Sequence, residues 1–155
     1  DLEAEMYEEI IDFLQRNGYV HYEISNFSKK GMGGVHNLKY WRNKEFIGAG
    51  LSAATYYKGK RYSNVRSFSK YYRCIEENIL PVDDKSIETV DKEEEEKLKN
   101  MLGLRLIEEG TEYFEAEEVK KLLNNGLLER FDGGKRMRLT KKGIFLANDV
   151  FVEFI

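Results

Sequence analysis

The residues best suited to hold a transition metal or act as a soft nucleophile are two histidines, His21 and His36, and one cysteine, Cys74. Neither histidine has a second His or Cys close enough in sequence to propose a metal site. A single cysteine excludes an intrachain disulfide, and it equally excludes a thiolate-held cluster built from this chain alone. Nothing in the spacing supports pairing Cys74 with His36 as nucleophile and base. Glu93 to Glu96 offer carboxylates in a row, the raw material of general acid–base chemistry. The same four residues suit the solvated first turn of a helix, where the helix dipole favours negative charge, and that reading is preferred.

Two short words carry more information. Gly48-Ala49-Gly50-Leu51-Ser52-Ala53 fits a dinucleotide-binding fingerprint with Ala in the third place. Its context does not fit, because Ala54-Thr55-Tyr56-Tyr57 favours a strand and no acidic residue stands at the ribose-binding distance. Glycines that let backbone approach a neighbouring strand or a ligand account for it better. The second word is His36-Asn37-Leu38-Lys39-Tyr40-Trp41. A histidine beside two aromatics reads either as a hydrogen-bonded structural residue or as a haem-iron ligand whose neighbours cover a macrocycle face. The residues alone leave both open.

Charge is unevenly placed. The chain of 155 residues carries a net −3, which argues against general nucleic-acid binding. From Phe27 to Arg73, however, eleven basic residues face the single acid Glu45, and 12 of the 20 aromatics lie between Tyr19 and Tyr72. Such a segment could bind single-stranded nucleic acid by stacking and phosphate neutralisation. It would equally suit a flat polycarboxylated ring, or simply form a Tyr/Phe-rich sheet with a solvated basic face, the reading composition favours. No apolar run approaches the ~20 residues of a membrane helix, and no signal peptide is visible, so the expectation is a soluble cytoplasmic protein. The chain opens at Asp1 directly into a helical pattern, which reads as a cut through a longer protein.

The elements follow from periodicity and punctuation. Leu2, Met6, Ile10, Phe13 and Leu14 predict a helix ending near Arg16, capped by Gly18. Tyr19 to Phe27 predicts one strand, and helix–glycine–strand is the repeating step of an α/β barrel or open parallel sheet. Lys29 to Gly34 is a glycine-rich basic loop. Phe46–Tyr57 and Arg61–Val65 predict a strand pair turned at Lys58-Gly59-Lys60. Ser67 caps a helix running to about Ile79, which Pro81 stops. Asp91 caps another, closed by Gly110, and a shorter helix spans Glu115–Leu123. Leu127–Phe131 and Arg136–Leu139 flank Asp132-Gly133-Gly134-Lys135 as a hairpin, and Thr140 caps a last helix. Helix, helix, hairpin, helix is a winged-helix-like order. Lys135, Arg136, Arg138, Lys141 and Lys142 would suit a DNA-contacting wing, but Glu115, Glu117 and Glu118 oppose phosphate where the recognition helix should lie.

Taken in order, Tyr22-Glu23-Ile24-Ser25-Asn26-Phe27, the His36-Asn37-x-x-Tyr40-Trp41 word, Gly48-x-Gly50-x-x-Ala53, Met101-Leu102-Gly103-Leu104-Arg105-Leu106 and Arg138-Leu139-Thr140-x-x-Gly143 resemble the HemW/oxygen-independent coproporphyrinogen III oxidase-like family of radical S-adenosylmethionine proteins. The resemblance covers nearly the whole chain. It implies an α/β plus α+β fold, the end of a partial TIM-type (radical SAM) barrel through about residue 66. Residues 1–90 would hold that barrel end and a connector helix, and residues 91–155 a winged-helix-like accessory domain. It implies that His36, Asn37, Tyr40 and Trp41 bind haem or porphyrin and that Gly48, Gly50 and Ala53 lie near S-adenosylmethionine. For the parent protein it implies a [4Fe–4S] cluster, S-adenosylmethionine and haem. Implied partners are the upstream barrel and haem-accepting target proteins. The alternative within the family is a parent that oxidatively decarboxylates coproporphyrinogen III; a third reading is a winged-helix nucleic-acid-binding protein. Two departures stand out. Ala54 occupies a place where the family often has His, and the cluster-binding cysteine triad is absent from these 155 residues, so no radical catalysis is expected from this chain alone.

Overall fold

The computed structural model describes residues 2–154; Asp1, the point at which the helical pattern opens, lies outside them. In chain order the elements are α1 (Leu2–Arg16), β1 (Tyr19–Glu23), β2 (Asn26–Lys29), α2 (Val35–Trp41), β3 (Ala54–Tyr57), β4 (Lys60–Ser63), α3 (Phe68–Glu76), β5 (Glu88–Thr89), α4 (Lys92–Gly103), β6 (Thr111–Glu112), α5 (Glu117–Asn124), β7 (Leu128–Phe131), β8 (Arg136–Leu139), α6 (Lys141–Phe145) and α7 (Ala147–Val152). The chain divides into two compact units, residues 1–43 with 96–155, and residues 44–95.

In the first unit, α1 docks by Tyr7, Ile11 and Leu14, a stripe at helical spacing. Ile11 is buried, and the Tyr7 hydroxyl donates to the Ile24 carbonyl at 2.6 Å. The more conspicuous stripe of Leu2, Met6, Ile10 and Phe13 is exposed instead. Gly18 ends the helix at a φ of +75°, with its N–H on the Gln15 carbonyl. The single strand expected over Tyr19–Phe27 is in fact a hairpin: β1 and β2 pair antiparallel, Tyr19 opposite Lys29, around Ile24-Ser25. Every strand pair among the described residues is antiparallel. The helix–glycine–strand step therefore leads into a hairpin here, because Ile24-Ser25 turns the chain before a crossover can begin.

The rest of this unit is a three-stranded sheet, order β6-β8-β7, covered by helices. Leu104, Val119, Met137 and Val150 are fully buried at its centre, with Leu122, Leu128, Leu139 and Phe151 around them. The Asp91 carboxylate accepts the Glu94 N–H at 2.9 Å and starts α4 as expected. The helix stops at Gly103 rather than Gly110, since Gly103 lies against Thr111 and a Cβ there would sit 3.0 Å from the Thr111 Cβ. Gly110 is needed seven residues later: its φ is +56°, and a Cβ would come within 2.1 Å of the Met137 carbonyl. The Thr140 hydroxyl accepts the Gly143 N–H at 3.0 Å. The final helix is split into α6 and α7 at Leu146, whose φ and ψ of −114° and 27° leave the helical region.

In the second unit, β3, β4 and β5 form an antiparallel sheet in that order. The turn falls at Lys58-Gly59, as the sequence indicates, but the first strand begins only at Ala54; Phe46 contributes an isolated bridge to Tyr56. Ser67 caps α3, accepting the Lys70 N–H at 3.5 Å.

Met137, with 0% exposure, lies on the central strand β8, opposite Thr111 of β6 and Arg130 of β7. Met137→Ala should lower unfolding free energy by about 2–5 kcal/mol, read as a lower urea midpoint at unchanged slope.

Candidate functional site

Three polar clusters stand out from the elements that position them. The first is on α2. No side chain caps its start; Gly34 precedes it in an extended conformation, and its carbonyl accepts the Leu38 N–H at 2.9 Å. The glycines before it are needed for contact: a Cβ on Gly33 would sit 3.3 Å from the Leu38 side chain, and one on Gly34 would sit 3.1 Å from the Tyr22 hydroxyl. The helix itself is unexpected from local sequence, since its Val, His, Asn, Tyr and Trp are all indifferent helix formers. His36 is exposed on it and makes an edge-on contact with the Tyr40 ring, centroids 4.8 Å apart. Among the described residues the His36 imidazole makes no hydrogen bond, so neither ring nitrogen is committed to the fold. Met32 and Val35, just before it, are 73% and 80% exposed. Asn37 and Tyr40 are half-buried.

Trp41 turns the other way. Its indole nitrogen is buried without an acceptor, and the Arg105 guanidinium lies 4.3 Å from its ring centroid. Arg42, the next residue, forms a two-pronged ion pair with Glu109, one prong at 3.1 Å. The C-terminal end of α2 is thus fastened to the segment that follows α4.

The second cluster lies under α1. His21 is buried, stacked on Phe27 with centroids 4.2 Å apart, and its Nε2 is 3.0 Å from the Ile24 carbonyl. Glu23 is completely buried; one carboxylate oxygen accepts from the Asn26 side-chain amide and the other has no partner. Burial pushes the Tyr7 phenol up, Glu23 pushes it further, and Arg105 opposes both. Burial also holds the His21 imidazole below its ordinary value, against the Ile24 carbonyl and the Glu23 charge. The words Tyr22–Phe27 and Met101–Leu106 contain Glu23 and Arg105 without assigning them a role, and Tyr7 lies outside both. For Glu23 the available signal is a charged residue inside an otherwise strand-like run, which must be paired if buried.

The third cluster, in the second unit, is the Gly48–Ala53 loop. A Cβ on Gly48 would come within 2.1 Å of the Ala54 carbonyl, and the Gly48 N–H donates to the Thr55 hydroxyl at 3.0 Å. Buried Asn64 donates to the Gly50 carbonyl at 2.7 Å, while its backbone N–H meets the Ala53 carbonyl at 2.9 Å. Gly48 therefore serves the close approach of the loop to β3. Gly50 has a φ of +109° and open space where a Cβ would go. Ala54 is exposed at the start of β3. Asn64, which sequence reasoning missed, is the residue that holds this loop.

Among the described residues no three His, Cys, Asp or Glu side chains gather as a metal site, and no helix is long and apolar enough to cross a membrane. The arginines of the β7–β8 hairpin are engaged internally. Arg136 donates to the Glu109 and Gly110 carbonyls, Arg138 pairs with Glu129 at 2.7 Å, and Arg130 lies over Tyr113 while bonding the Gly134 carbonyl.

No family model matches the chain. Among curated proteins it is 34% identical over 168 residues to the heme chaperone HemW of Lactococcus lactis, spanning 100% of this chain and 42% of that protein. It is 34% identical over 165 residues to the heme chaperone HemW of Bacillus subtilis, spanning 99% and 42%. A 53-residue stretch, 34% of the chain, is 42% identical to the mouse mitochondrial radical S-adenosyl methionine domain-containing protein 1. The chain thus spans about two fifths of the length of the HemW relatives. Among solved structures, coproporphyrinogen III oxidase (HemN) from Escherichia coli, a radical SAM enzyme, superposes with a TM-score of 0.68 over 95% of this chain and 39% of that one. At 16% identity the likeness establishes the mixed α/β fold.

The second cluster has a pH signature. The ordinary histidine value is 6.5, and the folded value of His21 lies below it. Between the two, the unfolded chain binds the proton more readily, so stability should be flat above neutrality and fall as pH drops through 6.5 toward the folded value. Urea midpoints measured across that range should show the decline in the wild type and a shallower one in His21→Phe.

Proposed function

We propose, from the premise that this chain is homologous to the C-terminal region of the heme chaperone HemW at 34% identity, that it is the C-terminal portion of a radical SAM-family protein. Its role in that protein is to help bind haem for delivery to acceptor proteins. In this reading α2 is the haem-contacting element. The observation that carries it is the His36 imidazole: exposed, edge-on to Tyr40, and hydrogen-bonded to nothing among the described residues. A structural histidine would be expected to spend its nitrogens on backbone partners, as His21 does on Ile24. A neutral imidazole with a free nitrogen is a ligand for haem iron.

The surroundings suit the cargo. Exposed Met32 and Val35 offer apolar surface beside His36 in sequence, and Lys30 and Lys39, six residues before and three after it, are exposed cations of the sign that propionates require. Asn37 and Tyr40 complete the polar and aromatic edge of the helix. Gly50 and Ala53 belong, by resemblance, near S-adenosylmethionine, with Gly48 shaping the loop. Residues 91–155 form the winged-helix-like accessory part. The [4Fe–4S] cluster has no fitting ligand set here, because Cys74 stands alone; its ligands would belong to the remainder of the parent, and no catalytic step is assigned to this chain.

A nucleic-acid role is disfavoured by the hairpin arginines, which are spent on Glu129 and on backbone carbonyls.

The test is His36→Ala in the full-length protein. The Soret band of the haem complex should shift or vanish while the urea midpoint stays within error of wild type. An unchanged spectrum would sink the ligand assignment. Assaying the same protein for protoporphyrinogen formation separates delivery from catalysis, since robust turnover would favour the oxidase alternative.

A further inference from the structure

The Arg105–Trp41 stack raises a question that folding alone does not answer. Arg105 follows α4 by two residues, and its guanidinium lies 4.3 Å from the Trp41 ring centroid and 5.5 Å from that of Phe151. Its Nε and the Trp41 Nε1 are both buried without acceptors. Two orphaned donors side by side are a cost to the fold, and a Leu or Met would fill the space without it. What a guanidinium offers, and an aliphatic chain does not, is an oriented face against an aromatic ring.

That orientation matters because of where Trp41 sits on its helix. At 3.6 residues per turn Trp41 lies about 140° around α2 from His36, while Tyr40 lies almost directly above His36. Fixing the indole inward therefore points the His36–Tyr40 edge outward. The neighbouring Arg42–Glu109 pair also reaches this end of the helix, but both side chains are nearly half exposed, at 44% and 46%, and an exposed pair stabilises weakly. The opposite end of α2 enters from Gly33 and Gly34. The helix is short, without a side-chain N-cap, and so depends on its C-terminal fastening for its rotation about its own axis.

We infer that Arg105 is a positioning residue for α2: through Trp41 it sets the direction in which His36 and Tyr40 are presented. The inference deepens the haem-binding reading above and rests on it for its consequence, though not for the clamp itself. Arg105 touches no haem; it acts through Trp41.

The experiment uses the full-length protein with Arg105→Gln and Arg105→Lys, each also prepared with Trp41→Phe. Subtracting the Trp41→Phe spectra isolates the Trp41 emission, and haemin titration gives affinity and Soret position. Arg105→Gln should shift the Trp41 emission and weaken haemin binding about tenfold, as expected if the presenting orientation of α2 falls to roughly a tenth of the population. Arg105→Lys, which keeps a cation over the ring, should recover most of both. Should Arg105→Gln fail to fold, Arg105→Lys paired with Phe151→Leu carries the test, the first moving Trp41 emission slightly and the second leaving it in place. Wild-type haemin affinity and Soret position in Arg105→Gln would overturn the inference, even if its urea midpoint falls, because that is the behaviour of a purely structural residue. If His36→Ala and wild type bind haemin alike, the haem reading has failed on its own terms. The Trp41 emission then decides the clamp alone: a shift in Arg105→Gln supports it, and no shift refutes it.

Discussion

Two backbone hydrogen bonds join parts of the first unit that lie some eighty residues apart in sequence: Ile24 N–H to the Arg105 carbonyl at 3.1 Å, and Ile107 N–H to the Tyr22 carbonyl at 3.2 Å. They seat the segment after α4 along the β1–β2 hairpin. Everything described around α2 follows from that seating. Arg105 reaches Trp41 and Glu109 reaches Arg42 because residues 104–109 are held there, and Arg136 anchors the far side through the Glu109 and Gly110 carbonyls. Gly103 and Gly110 bracket the segment, each at a place where a side chain would press on a neighbouring strand or its backbone. A loop between two glycines thereby becomes the joint between the N-terminal hairpin and the C-terminal core.

Several of the buried polar groups of the first unit lie at this joint. Glu23, fully buried, has one oxygen satisfied by Asn26 and the other unpartnered; Arg105 and Trp41 each bury a donor without an acceptor. Glu23 and Arg105 act on the Tyr7 phenol in opposite senses, so the two charges lie within electrostatic reach of one hydroxyl. Hydrophobic cores do not require such groups, and their presence here contrasts with the apolar centre formed by Leu104, Val119, Met137 and Val150. The polar joint specifies how the hairpin and α2 meet the C-terminal elements, while the apolar centre supplies the stability.

Much of the fold was legible because local chemistry and tertiary structure agree. The caps at Ser67, Asp91 and Thr140, the turn at Lys58-Gly59 and the hairpin around Asp132-Gly133-Gly134 all hold. The misses share one cause, that contacts distant in sequence override the local pattern. On α1 the longer apolar stripe is exposed, and the stripe of Tyr7, Ile11 and Leu14 docks instead, with Ile11 buried and the other two half-buried. Ile24-Ser25 carries no Gly or Asn to announce a turn, yet the Tyr7 hydroxyl holds the Ile24 carbonyl there. The α2 helix has poor helix formers and is held by Tyr22, Arg105 and Glu109. For the candidate site, the His36–Trp41 word was visible as a word. That its two ends face opposite sides of a helix was not, because nothing local reveals helical spacing in seven residues.

The basic, aromatic-rich segment shows how composition and structure divide the labour. Of its cations, Lys29 lies 4.0 Å from the Tyr19 ring, Lys58 lies 5.2 Å from Tyr57, and Arg61 lies 4.7 Å from Tyr56, while Arg42 is paired with Glu109. Part of the excess charge thus stands on tyrosine faces. This is why many aromatics and many cations occur together without any ligand being required to explain the pairing. Lys30 and Lys39, like Lys44, Lys60, Arg66, Lys70 and Arg73 of the same segment, are exposed and make no ion pair or ring contact among the described residues. Lys30 and Lys39 flank the His36 edge of α2 in sequence.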